Sequence, residues 1–243
     1  MASLQKLDTI LYEVQQACLQ LSLPAPSGVY DSQDDNALMM GSVVNLAGIM
    51  VAEAIDWQNL RKTLTLNGDG ATTQFPLPAD LSRFVDGTGW SYAMRRPFVV
   101  VNPQQWSSLK AWLSPVTLNP TCRIIGDQLE FISPPALGDV LKIEYIDANW
   151  VIDADTPTTY KQKATKNADK PRFDWLLMVQ AIKVKWLEHK GMDTLAAQAD
   201  FNERLSQLTQ HDQMGQTLTL SGPVPGGPRA ITAINVPESG FGA

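Results

Sequence analysis

Apolar residues along the start of the chain recur at 3-4-3-4-3 spacing: Leu4, Leu7, Leu11, Val14, Cys18 and Leu21. That rhythm places them in one stripe on a helix. Pro24 and Pro26 predict its end, because a proline ring cannot continue the hydrogen-bond ladder. The next apolar run, NALMMGSVVNLAGIMVA at 36–52, carries no charge and follows Asp31, Asp34 and Asp35. Carboxylates suit a helix N-terminus, where they accept from free N–H groups and meet the positive end of the dipole. The pattern predicts a second helix reaching about Leu60. Apolar all round, it reads as a buried central helix rather than a membrane span, being slightly short and holding Asn36, Ser42 and Asn45. Gly41 and Gly48 are seven apart, hence on one face, and permit a close helix approach.

At Lys62 the period changes. TLTL, NGDG and ATTQFPL read as a hairpin around a glycine-rich turn. Further strands are expected in SYAMRRPFVVV, CRIIG, QLEFI and DVLKIEYI, with a short helix, NPQQWSSLKAWL, capped by Asn102 and opened by Pro103. In DVLKIEYI, Leu141, Ile143 and Tyr145 face one way and Lys142 and Glu144 the other, the mark of a half-buried antiparallel strand. Residues 156–170 are polar. Trp175, Val179, Ile182 and Trp186 then mark a third long helix, stopped at Lys190-Gly191. Asp193 caps a fourth, through Leu195, Phe201, Leu205 and Leu208.

The order predicts an α+β fold, a four-helix bundle with an inserted antiparallel β-rich lobe and an extended C-terminal arm. The expected boundaries are helices one and two at 1–61, the lobe at 62–155, an exposed basic loop at 156–171, helices three and four at 172–214, and the arm at 215–243. The arm holds GPVPGGP and then AITAINV. It has too much Pro and Gly for a helix and is too apolar for a solvated tail. A lone strand of this kind is not stable by itself, but it can add to a sheet edge or lie in a groove of another chain.

Composition narrows the function. At 243 residues the chain can bury a sizeable core. It is 44% apolar and only 18% charged, which suits a protein that buries surface against other chains, and its net charge of −6 argues against a broad basic nucleic-acid face. Cys18 and Cys122 read as buried thiols of a reducing compartment. His189 and His211 belong to no metal pattern, and neither a G-x-S-x-G elbow nor a phosphate loop is present. NGDG reads as a turn, and the DSQDDN cluster reads as helix capping. The expectation is no catalytic residue, no cofactor and no metal. Trp57, Trp175 and Trp186 read as core, whereas Trp90 and Trp150 fit core or interface equally.

An ordered series of motifs resembles the head-to-tail adaptor (connector) proteins of short-tailed bacteriophages. It comprises Asp56-Trp57 at a helix end, a Thr-rich strand, FPLPADL with Arg83-Phe84, Trp90, Arg96-Pro97, Pro103, Trp106, LEFISPP with Gly138, IEYIDANWV, and LLMVQAIKVKWLEHKGMD. It spans about residues 30–215. The resemblance implies a structural virion protein of the neck, assembled in the host cytoplasm. It implies a homo-oligomeric ring of twelve copies below the portal protein, which passes double-stranded DNA without specific binding and offers a platform to a downstream nozzle or tube protein. An acidic conduit agrees with this, since tight cationic contacts would hold the polymer.

Site expectations follow. Ile231, Ile234, Val236 and Phe241 form a portal-docking arm. Gly41, Gly48 and Ile49 belong to subunit packing, with Ile49 buried. Lys161, Lys163, Lys166 and Lys170 form a loop open to contact with the DNA channel. The alternative is a β-lobe binding module that recognises a carbohydrate or host surface through exposed aromatics, the candidates being Trp90, Trp106, Trp112 and Trp150.

Overall fold

The computed structural model describes residues 7–111 and 120–212. Five helices are present among them: α1 (Ile10–Gln20), α2 (Asp35–Ala54), α3 (Pro103–Ala111), α4 (Trp175–Lys190) and α5 (Leu195–Asp212). The strands are β1 (Arg61–Asn67), β2 (Gln74–Pro76), β3 (Leu81–Phe84), β4 (Trp90–Ser91), β5 (Arg96–Pro97), β6 (Val99–Val100), β7 (Thr121–Ile125), β8 (Gln128–Phe131), β9 (Val140–Asp147), β10 (Val151–Ile152), β11 (Tyr160–Lys161) and β12 (Lys170–Pro171). The fold is mixed helix and sheet. The described chain divides into a helical unit, covering residues up to 62, 80–83 and 145–212, and a β-rich unit, covering 63–79 and 84–144.

In the helical unit, α1, α2 and α5 each pack on α4. The first helix is shorter than its periodicity predicts. It starts at Thr9, whose hydroxyl accepts from the Tyr12 N–H, so Leu7 lies before it. The Ile10 and Leu11 N–H groups donate to the carbonyls of Asp169 and Asn167, so a distant loop closes the helix start. At the other end Leu23 N–H reaches Cys18 O and Ser22 N–H reaches Leu19 O, a Schellman pattern that ends the helix before either proline acts.

The second helix ends at Ala54, not near Leu60. Ile55 is extended, and Trp57 drops into the core, where its indole N–H donates to Val51 O at 2.7 Å. Arg83 closes this helix end. It donates to Ile55 O at 2.7 Å and pairs with Asp56 at 2.9 Å. Asp34 stands at the N-cap but makes no side-chain capping bond, which corrects the capping expectation for the acidic cluster. Gly48 is where the aromatic core closes on α2: a Cβ there would lie 2.2 Å from the Trp150 ring. Trp150 stacks on Phe173, which in turn packs against Trp57.

The β-rich unit is built on Leu66, Phe98, Cys122, Leu129, Phe131, Leu141 and Ile143. Leu141, Ile143 and Tyr145 are buried as alternation predicts. Strand orders are β1-β9-β4-β5, with β3 also on β9, then β2-β8-β7-β6, and β11-β10-β12. The expected hairpin across NGDG does not form, because β1 pairs with β9 and β2 with β8. The turn spends its hydrogen bonds elsewhere: Gly68 N–H donates to Asp139 O, and Gly138 N–H to Gly68 O. The lobe is not wholly antiparallel, since β6 runs parallel to β7. A parallel pair needs a crossover, and α3 lies in it. Asn102 and Gln105 cap α3 reciprocally, each side chain accepting from the other's N–H.

Candidate functional site

The most apolar helix is not buried all round. Leu38, Leu46 and Ile49 are exposed on α2, at 54%, 54% and 40%. They sit eight and three residues apart, which puts them on one helix face with the exposed Ser42 between them. Ile49 is therefore not buried in its own chain, contrary to expectation. Gly41 and Gly48 are buried, off that face. A Cβ on Gly41 would meet Tyr30 at 3.2 Å. The glycines thus admit the chain's own aromatic rings, and the exposed apolar face of α2 is the leucine–isoleucine stripe. A second apolar patch opens α5 in the same unit, where Met192 and Leu195 are 59% and 74% exposed beside Ala196 and Ala199.

The lysine segment is not a free basic loop. Lys161 bridges Asp153 and Asp169, 2.7 Å from each. Lys166 pairs with Asp155 and lies near Asp153. Burial alone would lower the Lys161 ammonium, but its two aspartates outweigh that and raise it above the usual lysine range. The Lys161 hydrogen bond, with the Thr156 N–H and Lys166 behind it, holds the Asp153 carboxyl down at about 2. Asp169 is buried and also accepts the N–H groups of Thr165, Lys166 and Ala154. Asn45 on α2 grips both backbone groups of Ala164, at 2.8 and 3.2 Å. Asn167 accepts from Val29 and Tyr30. The segment is therefore a built part of the helical unit. Lys163 and Lys170 are exposed, without an ion pair among the described residues, and they alone of the four lysines are free to meet phosphate.

The aromatics expected to mark a binding face largely turn inward. Trp106 is 2% exposed and Trp150 1%. Arg123 and Lys110 cover the Trp106 ring at 4.7 and 5.2 Å. Trp112 and the arm residues Ile231, Ile234, Val236 and Phe241 lie outside the described residues. In the β-rich unit Trp90, Tyr92, Thr63, Thr65, Lys142 and Glu144 line an open groove of about 400 Å³. Lys142 sits over the Tyr92 ring at 5.1 Å. Among the described residues no cluster of three or more His, Cys, Asp or Glu side chains is placed to hold a metal. Both cysteines are free and buried. Burial raises the Cys18 thiol and pushes Cys122 up to about 12, so neither is a ready nucleophile.

The chain thus presents apolar faces and internal ion pairs. The family described as SU10 adaptor protein matches it over residues 11–224. The chain belongs to the SU10 adaptor protein family. The resemblance to phage head-to-tail adaptors read from the sequence is borne out, and membership implies a bacteriophage adaptor of the virion neck, acting with portal and tail proteins. No curated protein matches the chain. The family match covers both apolar faces and stops at Val224, before Ile231, Ile234, Val236 and Phe241. The exposed stripe on α2 had no sequence signal to separate it from the buried side, because residues 36–52 have no charged face to point outward. Asn45, Asn167 and Asp169 were equally silent, since most of their partners are more than a hundred residues away or are backbone groups.

Proposed function

We propose that this SU10 adaptor forms a ring below the portal, extends the DNA channel and gives a platform to the next tail component, without catalytic turnover. The family match over residues 11–224 carries the reading. Two features support it. The exposed apolar faces are suited to partners of the same kind of surface, and the acidic net charge of −6 suits a conduit that must not grip phosphate. In this reading the helical unit, in which α1, α2 and α5 pack on α4, supplies the ring wall, and the arm beyond residue 222 reaches the portal. Twelve copies would match the symmetry that the resemblance implies. Electron microscopy of the purified protein, with and without portal protein, tests this: closed rings stacked on the portal are expected, and monomers in both samples would refute it.

A second reading, carbohydrate recognition by the β-rich unit, rests on the Trp90–Tyr92 groove alone. Quenching of tryptophan fluorescence by cell-envelope oligosaccharides, lost in Trp90→Ala, would favour it. No change on titration is the expected result.

A further inference from the structure

We propose that residues 217–220, at the start of the C-terminal arm, add to the outer edge of β1 in the same copy as a parallel strand. The sequence motif KTLTLNG at 62–68 returns as QTLTLSG at 216–222, identical at five of seven positions. In β1 this motif already works as a strand. Leu66 is buried, Leu64 packs half-buried against the same core, and Thr63 and Thr65 are exposed. Among the described residues β1 pairs with β9 alone and stands at the end of its sheet. Such an edge is a template for a further strand. Displacement of β1 itself is disfavoured, because both its ends are held. Leu60 before it is fully buried, Lys62 pairs with Asp147 at 2.8 Å, and Gly68 N–H donates to Asp139 O at 2.7 Å.

The end of α5 selects the occupant and its direction. Asp212 closes that helix, and its carboxylate accepts from the Gln58 N–H at 3.0 Å, while its carbonyl accepts from the Gln58 side chain. The arm therefore leaves α5 three residues ahead of β1. Asp212 to Thr217 is five residues, and Gln58 to Thr63 is five as well. Five extended residues reach about 17 Å. An antiparallel strand would have to meet Leu66 first, past Gln58–Leu60 and six residues of β1, about 24 Å by their ordinary rises. A parallel strand needs no such detour and falls in register, Thr217 beside Thr63 and Thr219 beside Thr65. Leu218 and Leu220 then share the face of Leu64 and Leu66, because side chains alternate along a strand. Pro223 and Pro225 end the pairing, since proline has no N–H for the ladder.

Disulfide trapping in the full-length chain tests the pairing, because Cys18 and Cys122 are buried and Thr63 and Thr65 are exposed. Residues side by side on neighbouring strands lie about 4.8 Å apart, within reach of a disulfide. On mild oxidation Thr63→Cys/Thr217→Cys and Thr65→Cys/Thr219→Cys should each give a disulfide-closed monomer, with the linked peptides found by mass spectrometry. The crossed pairs Thr63→Cys/Thr219→Cys and Thr65→Cys/Thr217→Cys, about 8 Å apart in this register, should stay reduced. Closure of the crossed pairs instead would overturn the parallel direction. Covalent dimers would overturn the seat in the same copy and place the strand on a second one. Four reduced variants would overturn the strand itself. Hydrogen exchange gives an independent reading: a chain ending at Gly215 should lose amide protection in β1 relative to the full chain, and unchanged protection would count against the pairing. Neither readout needs portal protein, so failure of the adaptor reading would leave both standing.

Discussion

Glu13 is the least expected residue in the helical unit. It is fully buried on α1, neither carboxylate oxygen has a hydrogen-bond partner, and burial, then Asp8 and Asp174, push its pKa well above the usual range. The unfolded chain releases this proton near the ordinary glutamate value of about 4.3, and the folded chain only at a higher pH. Between those points the folded state holds a proton that the unfolded state has lost, so stability falls as pH rises. Glu13→Gln should flatten that decline. Melting temperatures from pH 4.5 to 8 should converge at the acid end, with the variant ahead at the basic end. Gly48 gives a second test at this scale. An added methyl would lie 2.2 Å from a buried, stacked Trp150, whereas at Gly41 the contact is 3.2 Å from the half-buried Tyr30. Overpacking of a closed core costs about 1–3 kcal/mol. Gly48→Ala should lose that much in denaturant unfolding, and Gly41→Ala less.

At the scale of elements, the segment from β10 to β12 is the surprise, because its lysines look solvated in sequence and are held by carboxylates in the fold. Asp169 is its pivot. Burial pushes this carboxyl up, but Lys161 and three backbone N–H groups outweigh burial and hold it below the usual aspartate range. Its contribution to stability is therefore present above about pH 4 and is lost as pH falls through the lower folded-state value. Asp169→Ala leaves Lys161 with Asp153 alone and strands three backbone donors, and a buried donor left unpaired costs about 1–3 kcal/mol. Urea unfolding at neutral pH should show that loss, and the gap to wild type should narrow in acid. The second helix behaves in the opposite way. Because Ile49 is exposed, Ile49→Asp should leave monomer stability within about 0.5 kcal/mol. Its effect should appear in assembly, as a shift of the sedimenting species toward monomer. A collapse of the monomer would show that α2 is buried after all.

For the whole molecule, the family match ends at Val224, within the arm, and AITAINV begins after it. We predict that removing residues 222–243 leaves the melting temperature of the isolated chain nearly unchanged and abolishes co-sedimentation with portal protein. Portal binding equal to that of the intact chain would place the arm on its own ring instead. The truncation and the Ile49→Asp variant should differ in kind. The first should keep lateral assembly and lose the portal, while the second should weaken lateral assembly.

The sequence by itself determined the element types and the family. Helical and alternating periods are local, and so are the glycine stop at Gly191, the Asn102 cap and the buried side of β9. The ordered motifs around Asp56-Trp57 and LLMVQAIKVKWLEHKGMD were enough to reach the adaptor family. Tertiary structure decided what local periods cannot carry. Where α2 ends depended on Trp57 and Arg83 coming to its last turn. Whether TLTL and QFP pair was settled by Gly68 bonding to the 135–139 loop, and whether the lysines were free was settled by Asp153 and Asp169. Above all, a helix with no charged face gives no sign of which side looks outward. The packing of Trp150 and Tyr30 onto Gly48 and Gly41 chose that side and left Leu38, Leu46 and Ile49 exposed.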